Sequence, residues 1–135
     1  MNDAPASVRA DDVGLLVLRL ALGVLILFHG VDKLLHGVDG IAGMLQGAGL
    51  PGVLAYAVYL GEILGPMLLV VGWYARVGAG LILANMIVAV ALAHPQELLA
   101  LNQHGAWALE LQGMYVFTAL ALVLTGPGRL AVNRR

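Results

Sequence analysis

The chain contains no cysteine. Disulfide exchange, thiolate catalysis and cysteine-ligated iron–sulfur clusters are therefore excluded as its own chemistry. Charge is scarce too. Asp, Glu, Lys and Arg make up 11% of the 135 residues, against about 25% in an ordinary soluble domain. Hydrophobic residues fill the gap at 61%, and mean hydropathy is +0.91. Such a composition makes the lipid bilayer the chain's first partner. A net charge of −1 gives no electrostatic footprint for nucleic acid. No glycine-rich phosphate loop and no nucleophile–base motif stands out. The first twelve residues set Arg9 against Asp3, Asp11 and Asp12, so the basic start of a secretory signal is missing. The first apolar run is expected to be retained behind a short, loosely ordered polar tail.

Four apolar runs read as spanning helices, for which about 20 residues are needed. They are 13–35, 53–74, 77–93 and 106–125. Glycine and Pro66 within them do not argue against helix, because membrane helices tolerate both. Little more than Ala75-Arg76 joins the second run to the third, which dictates an antiparallel hairpin. The connection 36–52 is rich in glycine and spaces Ile41, Met44, Leu45 and Ala48 as one apolar face. It reads as a short interfacial helix or a re-entrant loop. The connection 94–105 is apolar at Leu98, Leu99 and Leu101 and is a second candidate for lying along the surface. The expected fold is all-α: a transmembrane four-helix bundle with a short interfacial segment between helices one and two. Its expected organisation is a polar tail (1–12), a four-helix membrane domain (13–129) and a basic tail (130–135).

Arg9, Arg76, Arg129, Arg134 and Arg135 fall on one side of this arrangement, and Lys33 lies near the other. By the positive-inside rule both termini are cytoplasmic, and the chain is a multi-pass protein of the cell inner (plasma) membrane. Trp73 and Tyr74 then mark the inner interface, and Tyr56, Tyr59 and Trp107 the outer one.

Against this background one residue is conspicuous. Glu62 lies roughly 12–15 Å into the second run, from the 1.5 Å rise per residue. A lone ionised side chain at such depth costs about 2.5–3.5 kcal/mol on insertion scales. A carboxylate cannot snorkel that far, so it needs a cation or a wet cavity. The first run offers Arg19, His29 and Lys33. His29 and Lys33 are four residues apart on one face, and His36 extends the stripe. Lys33 and Arg19 can equally snorkel to opposite headgroup layers, and His29 can be a neutral, hydrogen-bonded core histidine. Secondary candidates are Asn85, suited to an interhelical hydrogen bond, His94, and Glu110, which is close enough to the surface to be solvated. Histidine and carboxylate ligand types are present in His29, Glu62, His94, His104 and Glu110, but no short ligand motif joins them, so no metal site is assigned. Gly61 and Gly65 flank the acid and allow another backbone to come close. Pro66 removes the hydrogen bond that the Glu62 carbonyl would otherwise accept.

Several short motifs carry a family likeness: Arg19-x-x-x-Gly23, Phe28-His29-Gly30-x-x-Lys33-Leu34, Gly49-Leu50-Pro51, Leu60-Gly-Glu62-Ile-Leu-Gly65, Gly72-x-x-x-Arg76 and Thr125-Gly-Pro-Gly-Arg129. In order and spacing they resemble the DoxX family of small membrane proteins, from about residue 16 to 129. The resemblance implies a four-helix membrane fold and a loose link to respiratory or redox chemistry. Some members are subunits of a terminal quinol oxidase or a thiosulfate:quinone oxidoreductase. The family's polar positions map onto Arg19, His29, Lys33 and Glu62. Where many members carry an acid after Gly-Pro-Gly-Arg, this chain has Asn133, which argues against an ion pair at that end.

Two readings follow. In the first, the protein is a membrane subunit or accessory component of a quinone-linked oxidoreductase. Glu62 would be proton acceptor or headgroup ligand, His29 its hydrogen-bond partner, and Lys33 or Arg19 the charge balance. No electron carrier is evident in the chain, so other oxidoreductase subunits are expected partners, and quinone is the one cofactor in view. In the second, it is a non-catalytic scaffold, assembly factor or small-molecule binder or carrier, with self-association open. Catalytic residues are unassigned in both.

Overall fold

The computed structural model describes residues 7–135, and residues 1–6 of the expected tail lie outside them. Among the described residues the chain is helical, with a single isolated antiparallel bridge, Leu101 to Trp107, and no strand. Helix α1 runs Ala10–His36, longer than expected at both ends. Its start is fixed locally. Asp11 and Asp12 lie in the first turn, where acids suit the helix dipole, and the Arg9 N–H donates to Asp12 Oδ2 at 3.0 Å. Gly37 ends it at φ 84°, with its N–H donating to the Lys33 carbonyl. At 1.5 Å per residue these 27 residues span about 40 Å, enough to cross a bilayer with tilt.

The connection that follows forms a nine-residue helix, α2 (Asp39–Gly47). Its Leu45 packs with Val38, Ala55 and Val58 in a small satellite cluster. The second long segment, Gly52–Val71, is helical throughout but changes pitch three times. A 3₁₀ stretch covers Gly52–Ala57, a π-helical stretch Leu60–Leu64, and α3 proper Gly65–Val71. Pro66 is the physical cause of the wide turn. With no N–H it cannot bond the Glu62 carbonyl, and the Gly65 N–H bonds the Leu60 carbonyl five residues back. The segment stops at Val71, three residues short of the expected end. Gly72 is left-handed (φ 78°) and its N–H caps the Leu68 carbonyl.

Helix α4 (Ala75–Ala93) starts two residues earlier than expected. Helix α5 (Glu110–Thr125) starts four later. The loop before α5 uses the missing turn differently. The Asn102 carboxamide oxygen accepts the His104 and Ala106 N–H groups, and the Trp107 indole donates to the Leu98 carbonyl at 2.9 Å. Leu98, Leu99 and Leu101, the apolar residues considered for lying along the surface, are exposed on this stitched loop. The segments Ala10–His36, Gly52–Val71 and Ala75–Ala93 are long and apolar enough to cross a membrane. At 16 residues α5 is apolar but shorter than a full span, about 24 Å.

The main core joins Leu22 and Ile26 of α1, Leu69 of α3, Ala75, Ala79, Ile82 and Met86 of α4, and Ala119 and Leu122 of α5. Small residues set the spacing. A Cβ on Gly65 would lie 2.9 Å from the Gly78 carbonyl oxygen, and one on Gly78 2.6 Å from that of Gly65. The α3 and α4 backbones therefore touch at this pair, the close approach typical of membrane helices.

The last ten residues do not leave as a free basic tail. They fold across the arginine-rich end of the helices. Asp12 Oδ1 accepts the Arg129 N–H at 2.9 Å, and the Arg129 guanidinium lies 4.0 Å from Asp12 Oδ2. Arg19 donates to the Leu130 carbonyl. Asn133 donates its N–H to the Gly72 carbonyl and accepts the Tyr74 N–H, holding Tyr74 at its positive φ of 48°. Arg76 donates to the Val123 and Leu124 carbonyls, closing the end of α5. An ion pair thus forms at this end without an acid at position 133, because Asp12 supplies the carboxylate. Helix α1 thus begins inside the polar tail expected for 1–12, and Asp12 is held in its first turn. Asp12→Ala should release the final segment. Limited proteolysis in detergent micelles should then cut after Arg129 or Arg134 much faster than in wild type, with an unchanged pattern elsewhere.

Candidate functional site

The site begins with the widened turn at Leu60–Leu64. Pro66 denies the Glu62 carbonyl its usual α-helical donor, and the Glu62 side chain faces Lys33 of α1 and Asn85 of α4. Two glycines let those helices come near. A Cβ on Gly30 of α1 would overlap the Glu62 carbonyl oxygen, so the α1 backbone lies directly against it. A Cβ on Gly61 would overlap the Asn85 side chain, so Asn85 of α4 reaches the same point.

Both carboxylate oxygens of Glu62 are engaged. Lys33 Nζ donates to Oε2 at 2.6 Å, and Asn85 Nδ2 donates to Oε1 at 3.2 Å. The side chains of Lys33 and Glu62 are 22% and 9% exposed, so this is a largely buried ion pair, with hydrogen bonding that offsets part of its desolvation cost. Tyr59, one turn before Glu62, donates its hydroxyl to the Lys33 carbonyl at 3.0 Å and pins the last turn of α1 to the second span. Three helices therefore meet on one carboxylate.

The other sequence candidates lie elsewhere. His29 is exposed, and its ring stands edge-on to Tyr115 of α5, 6.2 Å between centroids. It is not among the hydrogen-bond partners of Glu62, because the α1 face turned to the acid carries Gly30 and Lys33 instead. Arg19 is 1% exposed and about 21 Å from Lys33 along α1. It serves the C-terminal segment and does not balance Glu62. Its guanidinium occupies the space that a Cβ on Gly72 would need. His94 follows the end of α4 and pairs with Glu97 at 3.3 Å. Glu110 is exposed in the first turn of α5. Among the described residues no three His, Asp or Glu side chains converge as metal ligands.

Beside the ion pair lies a cavity of about 410 Å³. Lys33, Glu62 and Asn85 form its polar end. Ile41 and Met44 of α2, Leu54 of the 3₁₀ stretch and Val88 and Leu92 of α4 form its apolar walls. Gly30 and Tyr59 are the site residues that sequence reasoning passed over. Gly30 did carry a signal: at i−3 from Lys33 it must share that residue's helix face.

A chain with three membrane-capable helices, glycine-mediated helix contacts and a largely buried ion pair between two of them is a small multi-pass membrane protein of the all-helical class. The DoxX family model matches residues 14–95. The chain belongs to the DoxX family, and the matched stretch holds every residue of the site just described. No curated protein and no solved structure matches the chain.

Proposed function

We propose that the protein is a membrane component of a quinone-linked oxidoreductase system, holding a quinone head at Lys33, Glu62 and Asn85. The observation behind this reading is the apolar cavity that ends on a buried, hydrogen-bonded carboxylate. Pockets of about 300–1,000 Å³ with apolar walls and few polar groups are the usual form of small-molecule sites. Lys33 and Asn85 would donate to a quinone oxygen. Glu62 would take one of the two protons that quinol oxidation releases, the second leaving to solvent, with Lys33 stabilising the charge that moves. None of these side chains carries electrons, so a partner subunit or a redox group held elsewhere would receive them. In this reading four helices bundle across the inner membrane with both termini in the cytoplasm, since Arg9, Arg76, Arg129 and Arg135 gather at one end.

Two measurements test it. A photoreactive quinone should label the peptides carrying Met44 to Leu60 and Ala84 to Leu92, and Glu62→Gln should weaken the labelling. Labelling no higher than that of lipid alone, and indifferent to Glu62→Gln, removes the quinone. For topology the native lack of cysteine is convenient. An impermeant maleimide should reach Gln103→Cys in spheroplasts, and Ser7→Cys only after lysis. The opposite pattern inverts the chain.

A second reading, a non-catalytic binder or scaffold, draws on a specific contact: Glu62 ties α1 to α4 through Lys33 and Asn85. A preparation that binds a small molecule but shows no redox change on quinol addition selects it.

A further inference from the structure

The charge state of the cavity floor dictates what kind of molecule fits. Lys33 and Glu62 neutralise each other at 2.6 Å, and Asn85 fills the remaining carboxylate oxygen. What the floor still offers is polar and uncharged in sum: further N–H groups on Lys33 and Asn85, and the Asn85 carboxamide oxygen. An anionic head would bring a second negative charge to a single ammonium, next to a carboxylate 9% exposed. A cationic head would crowd Lys33 in the same way. In apolar surroundings either unbalanced charge is strongly disfavoured. A neutral hydroxyl or carbonyl accepts from Lys33 or Asn85 without disturbing the pair.

The walls set the rest of the molecule and its route. Met44, Leu54, Leu60 and Val88 line the cavity and are also exposed on the outer surface of the helices. The cavity therefore opens at the side of the helices, bordered by α2, the second span and α4, on a face that acyl chains would surround in a bilayer. A volume of about 410 Å³ accommodates one chain with a small head.

We infer that the Lys33–Glu62–Asn85 cavity binds single-tailed amphiphiles with an uncharged, hydrogen-bond-accepting head, taken up laterally from the bilayer, and rejects those with a charged head. This inference rests on reading the cavity as a small-molecule site. It goes further by making the ion pair a charge filter, and it covers long-chain alcohols as well as quinones.

The test uses the full chain in nanodiscs with two photoreactive probes of equal chain length, a diazirine-bearing hexadecanol and the corresponding hexadecyl sulfate. Labelling of the peptides around Met44–Leu60 and Ala84–Leu92 is read by mass spectrometry. In wild type the alcohol should label about tenfold more than the sulfate, the factor that 1.4 kcal/mol of discrimination gives. Glu62→Gln removes the negative charge with little change of shape, leaves Lys33 unpaired, and should reverse the preference. Lys33→Gln should suppress the sulfate further. Ala89→Phe, which fills the cavity wall, should abolish labelling by both probes.

Equal labelling of wild type by alcohol and sulfate overturns the charge filter while leaving a binding site in place. So does an unchanged preference in Glu62→Gln. If Glu62→Gln and Lys33→Gln both fail to fold, the wild-type ratio alone decides. Labelling by neither probe above the Ala89→Phe background removes the site itself. Alcohol labelling that no quinone competes away removes the quinone and retains the filter.

Discussion

Lys33→Met should be the most damaging single substitution in this chain, lowering stability in detergent by about 3–5 kcal/mol, the usual cost of stranding one member of a buried pair. The carboxylate of Glu62 would keep only its bond from Asn85 and could not move to water, being too short to snorkel from the middle of the segment Gly52–Val71. Glu62→Leu should cost less than Lys33→Met, because the lysine stem is long and can carry its ammonium from the end of α1 toward the headgroups. It should still cost more than Glu110→Leu, which removes an exposed acid and should shift stability by no more than about 0.5 kcal/mol.

The double variant Lys33→Met, Glu62→Leu separates the pair from its surroundings. Removing both charges together leaves no buried ion, so most of the stability should return, as when buried pairs elsewhere are replaced by apolar residues of similar size. Melting of purified protein by tryptophan fluorescence checks all four variants. Equal midpoints for Lys33→Met and Glu110→Leu would mean that the pair carries no weight. The double variant also bears on function. A folded protein that no longer binds a neutral amphiphile would show that the ion pair serves recognition beyond holding helices together.

Several of these features were legible in the sequence for physical reasons. Apolar runs of spanning length follow from the cost of unpaired backbone in lipid, so the three long segments and the apolar α5 could be read directly. Glu62 could be singled out because charge is expensive there, and Gly61 and Pro66 because close approach and a missing N–H have local consequences. The choice among Arg19, His29 and Lys33 was not legible. It depends on which α1 face meets the second span, and that is set by Gly30 fitting under one carbonyl. The clasp of Asp12 and Arg19 on the C-terminal segment joins residues more than a hundred positions apart in chain order, Asn133 of that segment reaches back to Gly72 and Tyr74, and no local pattern encodes such pairings. The late start of α5 was hidden for a similar reason. Asn102 and Trp107 hold the preceding loop through side chain to backbone bonds that compete with helix.

Gly30→Ala is expected to destabilise the protein by about 1–3 kcal/mol, the range for overpacking a tight contact, even though alanine is the better helix former by about 1 kcal/mol. The sign follows from what the new methyl would meet. At Gly30 it overlaps the carbonyl oxygen of Glu62 and presses on the Ile63 side chain. A backbone oxygen cannot rotate aside, so α1 must retreat. Lys33 lies one turn further on the same face and would be drawn away from Glu62 with it. Gly14 supplies the internal control. It belongs to the same helix, and nothing lies within 4 Å of the Cβ it would gain. Gly14→Ala should therefore leave melting unchanged or raise it slightly. The two substitutions add the same atom to the same helix, so any difference between them measures the contact alone. If Gly30→Ala melts with Gly14→Ala, the α1 backbone does not rest on the Glu62 carbonyl, and Lys33 has no fixed place beside the acid. If it melts lower and also loses amphiphile labelling, helix approach at Gly30 sets the geometry on which the charge filter depends.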